Sequence, residues 1–240
     1  MTQLVLVHGF MGGSAQWAPQ MQDLSDGFDV IALDLPGFGD NSALPVIDTI
    51  QGFADWVIGA LTQRGITRYH LLGHSMGGMI AQEIAVRDKG RVDRLVLYAT
   101  GSVGVLPGRI ETIEESKRRS RADGAQATAR RIAATWFLDR EQASGYGACA
   151  AIAEQSHPDA IAAGLDAMQG WSGRAALPSI TAPTLVLWGD RDRTYAWPQI
   201  ETLWRDIPDA TLAVVPNCAH AVHLEKPGLF NPLLLDFLRS

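Results

Sequence analysis

The segment YHLLGHSMGGMI, residues 69–80, decides the fold. Its first four residues, Tyr69–Leu72, predict a short buried strand, and a helix is predicted from Met76 onward. Between them Gly73–Gly77 forms G-x-S-x-G, which is typical of a sharp strand-to-helix turn with small residues two before and two after the serine. Such a turn lifts Ser75 clear of the sheet and points the free N–H groups of the helix at any oxyanion that forms there. Ser75 is therefore the candidate nucleophile.

Short apolar runs and helical segments alternate on both sides of this segment. The runs are Leu4–Val7, Val30–Leu33, Tyr69–Leu72, Leu95–Tyr98, Thr184–Trp188 and Thr211–Val215. They are rich in Val, Ile and Leu, as expected for strands buried on both faces. An apolar stripe at helical spacing separates the second run from the third: Ile50, Phe53, Ala54, Val57, Ile58 and Leu61. The alternation predicts an α/β fold with about six mostly parallel strands flanked by helices.

The alternation stops between about Gly104 and Pro178. This stretch contains no clear strand and is rich in Ala, Arg, Glu and Gln. It is too long for a simple loop, so we expect three or four helices that form an inserted subdomain. The predicted organisation is a core of residues 1–104 and 178–240 with a helical cap, residues 105–177, inserted in it.

Composition excludes several classes of protein. The 240 residues are 47% hydrophobic and 19% charged, which is ordinary for a soluble globular domain and excludes general disorder. The net charge of −6 argues against a nucleic-acid binder driven by overall charge. Two cysteines, Cys149 and Cys218, provide neither a disulfide framework nor a metal site. The chain has no run of about 18 apolar residues and no signal peptide, so we expect no membrane span and a cytoplasmic location.

A serine nucleophile needs a base, and the base needs a group that orients it. His220 follows the last predicted strand, and Asp192 follows the strand Thr184–Trp188. Both lie at C-terminal strand ends, where open parallel sheets place their sites. The order Ser75, Asp192, His220 is that of the Ser…Asp…His hydrolases. Asp190 is a rival acid two residues before Asp192.

These residues and three further segments resemble the α/β-hydrolase superfamily almost from end to end. The segments are His8–Phe10, the turn Asp34–Gly39 and the base segment His220–Pro227. The resemblance implies an α/β-hydrolase fold with an inserted helical cap, in the branch of capped esterases, lactonases and C–C hydrolases. It also implies that Phe10 and Met76 supply the backbone N–H groups of the oxyanion hole.

The resemblance further bears on the acid, because the family's spacing favours Asp192 over Asp190. The chain departs from the family at Ala219, where a glycine often precedes the base histidine, so we expect a somewhat stiffer loop. It also begins on what resembles the third strand of the family's sheet.

Other residues are candidates for contact with substrate. They are His74, Trp136, Phe137, Trp171, Trp197 and Val222. His8 is interpreted as a residue that braces its loop. His223 lies three residues from His220 but lacks cysteine or carboxylate companions at ligand spacing, so no metal site is predicted.

A basic stretch lies inside the predicted cap. Between Ser116 and Arg131 there are six basic residues and one acid, Asp123; the basic residues are Lys117, Arg118, Arg119, Arg121, Arg130 and Arg131. Two interpretations stay open. One is a solvated helix face. The other is a basic patch beside the mouth of the pocket that attracts an anionic substrate or an acidic carrier protein.

The sequence therefore predicts acyl transfer from a small or medium carboxylic ester, thioester or lactone to water, without cofactor or metal. Two alternatives remain: a C–C bond hydrolase or enol-lactonase of aromatic catabolism, and a receptor or regulator that keeps the triad and signals through a partner.

Overall fold

The computed structural model describes residues 1–105 and 111–240. Six β-strands form within these ranges: β1 (Thr2–Val7), β2 (Phe28–Leu33), β3 (Tyr69–His74), β4 (Val92–Tyr98), β5 (Thr184–Gly189) and β6 (Ala210–Val215). They make one sheet in the order β2-β1-β3-β4-β5-β6, and every neighbouring pair is parallel. The predicted fold class is confirmed.

Ten α-helices form within the same described ranges. They are α1 (Ala18–Ser25), α2 (Ile50–Gln63), α3 (Met76–Arg87), α4 (Ile113–Asp123), α5 (Ala125–Thr135), α6 (Tyr146–Ala153), α7 (Pro158–Gln169), α8 (Trp197–Asp206), α9 (Val222–Glu225) and α10 (Pro227–Arg239). Short 3₁₀ turns cover Ser14–Trp17, Gly39–Asn41, Arg140–Gln142 and Arg174–Ser179. No helix of these ranges is both long and apolar enough to cross a bilayer.

The core lies on both faces of the sheet because successive strand residues point to opposite sides. Val5, Leu71, Leu97 and Val186 pack in one apolar cluster with α2 and α3. Their neighbours Leu6, Leu72, Val96 and Leu187 pack in a second cluster with α1 and α10. Helix α2 starts where the Thr49 hydroxyl accepts a hydrogen bond from the Gly52 N–H at 3.1 Å, and it buries Phe53 and Val57 of the predicted stripe.

The prediction that the strands are buried on both faces is confirmed for the central strands β3 and β5 and is wrong for the two edge strands. β3 and β5 are buried along their whole length. β2 and β6 are partly exposed, and Val214 of β6 is 44% exposed. The reason is that an edge strand has a neighbour on one side only.

Four helices, α4–α7, lie between β4 and β5, in the stretch where the sequence predicts a cap. The chain enters and leaves this stretch side by side, through an antiparallel bridge between Val103 and Ser172. Residues 106–110, which belong to the predicted cap, lie outside the described residues. Helix α7 packs on the core, because its N-cap residue His157 donates its backbone N–H to the Gly37 carbonyl at 2.9 Å.

Candidate active site

Ser75 occupies a strained turn between β3 and α3. Its backbone has φ +57° and ψ −119°, a conformation that non-glycine residues rarely adopt. Three hydrogen bonds hold it there. The Ser75 N–H donates to the Tyr98 carbonyl at 3.0 Å, and the Ser75 carbonyl accepts from Gly78 N–H at 2.9 Å and from Thr100 Oγ1 at 2.7 Å. The strain persists because the surroundings fix the turn, as is typical of functional sites.

Glycines on either side of Ser75 make this turn possible. A Cβ on Gly73 would lie 2.7 Å from the Cβ of Ala81, and one on Gly77 would lie 2.5 Å from the carbonyl oxygen of His8. Both distances are shorter than carbon atoms tolerate. The small residues required by the sequence motif are therefore a packing requirement of β1, β3 and α3.

Asp192 and His220 meet behind this turn. His220 Nδ1 lies 2.8 Å from Asp192 Oδ2, and both side chains are essentially excluded from solvent. The other carboxylate oxygen of Asp192 accepts from the backbone N–H groups of Thr194 at 2.7 Å and Tyr195 at 3.3 Å. The acid is thus held by its own loop and directed at the imidazole.

The rival acid Asp190 points elsewhere. Its Oδ2 lies 3.7 Å from Arg191 Nε, and it makes no hydrogen bond to His220. Within residues 1–105 and 111–240, the imidazole of His220 is bonded to Asp192 alone among the acids.

Ser75 and His220 line one small cavity. Gly9, Phe10, Gly12, Gln16, His74 and Trp136 complete its described lining. Among the described residues, no hydrogen bond joins Ser75 Oγ to His220. Catalytic hydrogen bonds are often long before substrate binds and shorten in the complex. The absence of this bond is therefore compatible with a nucleophile and its base.

Two backbone N–H groups beside Ser75 have no acceptor in the described chain. One belongs to Met76, the first residue of α3, and the other to Phe10, in the loop after β1. His8 braces the same loop, because its Nδ1–H donates to the Gly9 carbonyl at 2.7 Å and its Nε2 accepts from Leu35 N–H at 3.0 Å. Burial lowers the pKa of His8, so the ring is neutral and can play both roles.

His74 lines the cavity, but its ring nitrogens bind protein groups. Nε2 donates to the His220 carbonyl at 3.2 Å, and Nδ1 lies 3.5 Å from Gln16 Nε2. The ring stacks on Tyr98 with 4.5 Å between centroids. Burial, together with the neighbouring His220 and His223, lowers the pKa of His74 well below its ordinary value. These bonds hold His74 against the loop of His220, and contact of His74 with substrate stays a prediction.

Tyr98 and His223 complete this support, and sequence reasoning gave neither a role. The Tyr98 hydroxyl donates to the His220 carbonyl at 2.9 Å and lies 2.9 Å from His223 Nδ1. Since a phenol has one proton, His223 Nδ1 carries its own and donates it to Tyr98. The sequence did contain a signal for Tyr98. It is the last residue of β4, and Ser75 directly follows β3, so both lie at the C-terminal ends of their strands.

Gln16 is a second residue that sequence reasoning missed. Its side chain is 5% exposed and lines the cavity beside Ser75. It follows the His8–Phe10 loop closely in the chain, but no motif pointed to it.

Of the predicted aromatic contacts, Trp136 alone belongs to the described lining. Phe137 is buried, and a Cβ on Gly145 would lie 3.0 Å from its ring. Trp171 donates its indole N–H to Glu83 at 2.7 Å. Glu83 lies about 12 Å along α3 from Ser75.

Trp197 and Val222 are also outside the described lining. Trp197 begins α8, is 39% exposed and packs against Trp188, with 6.2 Å between ring centroids. Val222 is fully buried in the apolar cluster that contains Leu72 and Phe230. Packing against its own neighbours, rather than proximity in sequence to Asp192 or His220, decides where each side chain points.

Cations of the basic stretch form ion pairs with acids of the same region. Lys117 pairs with Glu114 and Asp166, and Arg118 pairs with Glu115. Two further arginines, Arg119 and Arg131, share Glu111, and Arg130 pairs with Glu154. Most of these pairs are solvent-exposed. Attraction of an acidic carrier protein to this stretch stays a prediction.

Comparison with known proteins finds similarity over almost the whole chain. Residues 2–227 match the sequence model of the alpha/beta hydrolase fold family. The chain is 28% identical to a protein of Agrobacterium fabrum that bears the name of a carbamate hydrolase, with 98% of this chain and 92% of that protein covered. It is 29% identical to the 2-hydroxy-6-oxo-6-phenylhexa-2,4-dienoate hydrolase of Comamonas testosteroni, with 99% and 87% covered.

The solved structure of a thermophilic esterase from Thermogutta terrifontis is similar over the same length. It superposes with a TM-score of 0.89 at 28% identity, covering 100% of this chain and 90% of the esterase. The similarity therefore extends over the region of α4–α7 as well as over the sheet.

Proposed function

This chain belongs to the α/β-hydrolase fold family, and we propose that it is a serine hydrolase that cleaves a small-to-medium carboxylic ester, thioester or lactone through an acyl-enzyme. The observation that carries the proposal is the buried 2.8 Å hydrogen bond between His220 Nδ1 and Asp192 Oδ2, beside a serine held in a strained turn. A base already oriented by an acid is the arrangement that activates a serine hydroxyl.

The proposed first step is attack by Ser75 on the substrate carbonyl. Because Nδ1–H of His220 donates to Asp192, Nε2 is the free nitrogen and takes the proton from Ser75 Oγ. Imidazolium then forms next to a carboxylate that stabilises it, and it later protonates the leaving group. Water attacks the acyl-enzyme by the same route in reverse. His220 and water carry every proton of this cycle.

The oxyanion is assigned to the N–H groups of Phe10 and Met76. Both lie beside Ser75 without an acceptor in the described chain. Met76 adds the partial positive charge of the α3 N-terminus. Preorganised donors of this kind act on charge that appears only in the transition state, and each is worth about 10²- to 10³-fold in kcat.

A C–C bond hydrolase is the second candidate. The relative from Comamonas testosteroni, at 29% identity, is named as a hydrolase of 2-hydroxy-6-oxo-6-phenylhexa-2,4-dienoate. The same nucleophile and base would serve both reactions. A panel of p-nitrophenyl esters of graded acyl length, run beside a vinylogous diketo acid and an enol-lactone, separates them by kcat/KM. Steady turnover by the purified chain alone would also count against a receptor or regulator that needs a partner.

The nucleophile is tested by Ser75→Ala, with Ser25→Ala on the exposed end of α1 as the matched control. Loss of the nucleophile in such triads costs about 10⁶-fold in kcat. We expect Ser75→Ala to lose ester turnover while its thermal unfolding stays close to that of wild type, and Ser25→Ala to retain full turnover. A folded Ser75→Ala variant that keeps more than a trace of wild-type kcat would contradict the proposal.

A further inference from the structure

One short segment between α5 and α6 contacts both loops that carry the acid and the base. It comprises Trp136, Phe137 and Leu138, which we call the latch segment. Trp136 faces the cavity of Ser75. The backbone carbonyl of the same residue accepts the N–H of Ala221, the residue after His220, at 2.9 Å. The segment that faces a bound substrate is thus bonded directly to the base loop.

Glu225 makes a second connection between the latch segment and the base loop. Its Oε1 accepts the N–H of Leu138 at 2.6 Å, and its Oε2 accepts the N–H of Ala219, the residue before His220, at 2.6 Å. One carboxylate therefore joins the two backbones. Hydrogen bonds to a charged acceptor are shorter and stronger than neutral ones, so this connection is stiff.

Arg193 makes the corresponding connection to the acid loop. It follows Asp192 directly, and its guanidinium donates from Nη1 to the Phe137 carbonyl at 2.9 Å and from Nη2 to the Leu138 carbonyl at 3.0 Å. A planar guanidinium can bridge two carbonyls in this way, whereas an ammonium group cannot match the fork. Acid loop and base loop are thereby fixed to the same three residues.

We propose that Glu225 and Arg193 are positioning residues that couple the latch segment to Asp192 and His220. This inference rests on the proposed function for its effect on catalysis. Neither residue belongs to the described lining of the cavity, so neither is expected to touch substrate. Each acts by holding the imidazole where its Nε2 meets Ser75, and a substrate that displaces Trp136 acts on His220 through the same bonds.

The decisive variant is Glu225→Gln, with Glu201→Gln on α8 as the matched control. A glutamine offers one carbonyl oxygen and one NH₂, so either Leu138 N–H or Ala219 N–H must face another donor. Glu201 is an ordinary surface acid that pairs with Arg205 at 2.9 Å. A fluorophosphonate ester, which reacts with activated serines, titrates the active sites so that kcat refers to folded, competent enzyme only.

We expect Glu225→Gln to lose about 10- to 100-fold in kcat per titrated site, the cost of a misplaced catalytic group, with little change in KM. Glu201→Gln should match wild type in both. A residue that contributes only stability would lower the titrated fraction and leave kcat per site unchanged. That result would overturn the proposal.

Arg193→Lys, with Arg191→Lys as its control, tests the acid side. Arg191 lies two residues before Arg193, and its side chain is 62% exposed. Arg193→Lys should also lower kcat per site, whereas Arg191→Lys should not.

Because both positioning residues act on the same segment, the double variant Glu225→Gln/Arg193→Lys should lose less than the product of the single losses. Fully multiplicative losses would show two independent roles and contradict the shared latch.

Backbone hydrogen exchange tests the latch without using catalysis. In Glu225→Gln, exchange should accelerate at whichever of the Leu138 and Ala219 amides faces the new NH₂ group, and in Glu201→Gln neither amide should change. Unchanged exchange at both amides would overturn the latch even if turnover fell. Failure of wild type to hydrolyse any ester or to react with the fluorophosphonate would instead contradict the proposed function, while the exchange result would still stand.

Discussion

At the scale of single residues, two acids on one loop differ in a way that can be measured. Asp192 holds His220 Nδ1 at 2.8 Å, while Asp190 faces Arg191. Asp192→Asn should lower kcat by about 10⁴-fold, because an amide favours the wrong imidazole tautomer. Asp190→Asn is the matched control and should cost far less. Steady-state kinetics of the two variants on one ester decides the assignment, and losses in the reverse order would transfer the role to Asp190.

Strand ends and chain order predicted Ser75, His220 and the loop that carries the acid, and resemblance to the family's spacing favoured Asp192 over Asp190 on that loop. The role of His74 was not predictable in this way. Its partners Gln16 and His220 are 58 and 146 positions away in the chain, and its stacking on Tyr98 depends on how β3 and β4 pair. Contacts of this kind exist only after the sheet has formed.

At the scale of elements, the glycines on either side of Ser75 lead to a prediction about stability. Gly77→Ala places a methyl group 2.5 Å from the His8 carbonyl, and β1 or α3 must move to relieve it. Overpacking of this kind costs about 1–3 kcal/mol, and the shift should also displace Ser75 and lower kcat. Urea unfolding and ester kinetics measure the two effects.

Gly59→Ala on α2 is the opposite case and serves as the control. A Cβ at Gly59 would meet no atom within 4 Å, and alanine is the better helix former. This variant should be more stable than wild type by about 0.5–1 kcal/mol with unchanged kcat. Equal effects of the two substitutions would mean that the tight approach at Gly77 does not constrain the turn.

Apolar runs were sufficient to predict all six strands, but not their limits or exposure. β4 begins at Val92, three residues before the predicted Leu95, because the polar residues Asp93 and Arg94 interrupt the run without ending the strand. Partial exposure of β2 and β6 follows from the strand order, which is a long-range property. A sequence window of a few residues carries no information about it.

At the scale of the whole molecule, an inserted helical region could be predicted from the break in alternation. Which of its side chains face the cavity could not, because helix placement decides it. Helix α7 packs so closely on the core that a Cβ on Gly164 would lie 2.9 Å from the Phe10 ring. Trp171, meanwhile, is held by Glu83 on α3. Such contacts depend on shape, which residue type alone does not encode.

Buried histidines also make the stability of the whole molecule depend on pH. His8, His74 and His223 are almost fully buried, and burial lowers the pKa of each. In the unfolded chain each would titrate near its ordinary value of about 6.5. Below that pH the unfolded state binds more protons than the native state, so the free energy of unfolding must fall as the pH falls.

His223 allows this dependence to be measured, because burial, followed by the charge of His220, lowers its pKa to about 3. Its contribution is fully present above pH 6.5 and is lost progressively as the pH falls toward 3. Between pH 7 and pH 5 it should remove about 2 kcal/mol from the free energy of unfolding. His223→Gln lacks this titration, so its urea-unfolding free energy should change less over that interval by the same amount, whatever its stability at pH 7.

His157→Gln, at a position 47% exposed, is the control and should keep the wild-type pH dependence. If wild type and His223→Gln lost the same free energy between pH 7 and pH 5, His223 would have to titrate normally in the folded protein, and the buried pair it forms with Tyr98 would be wrong.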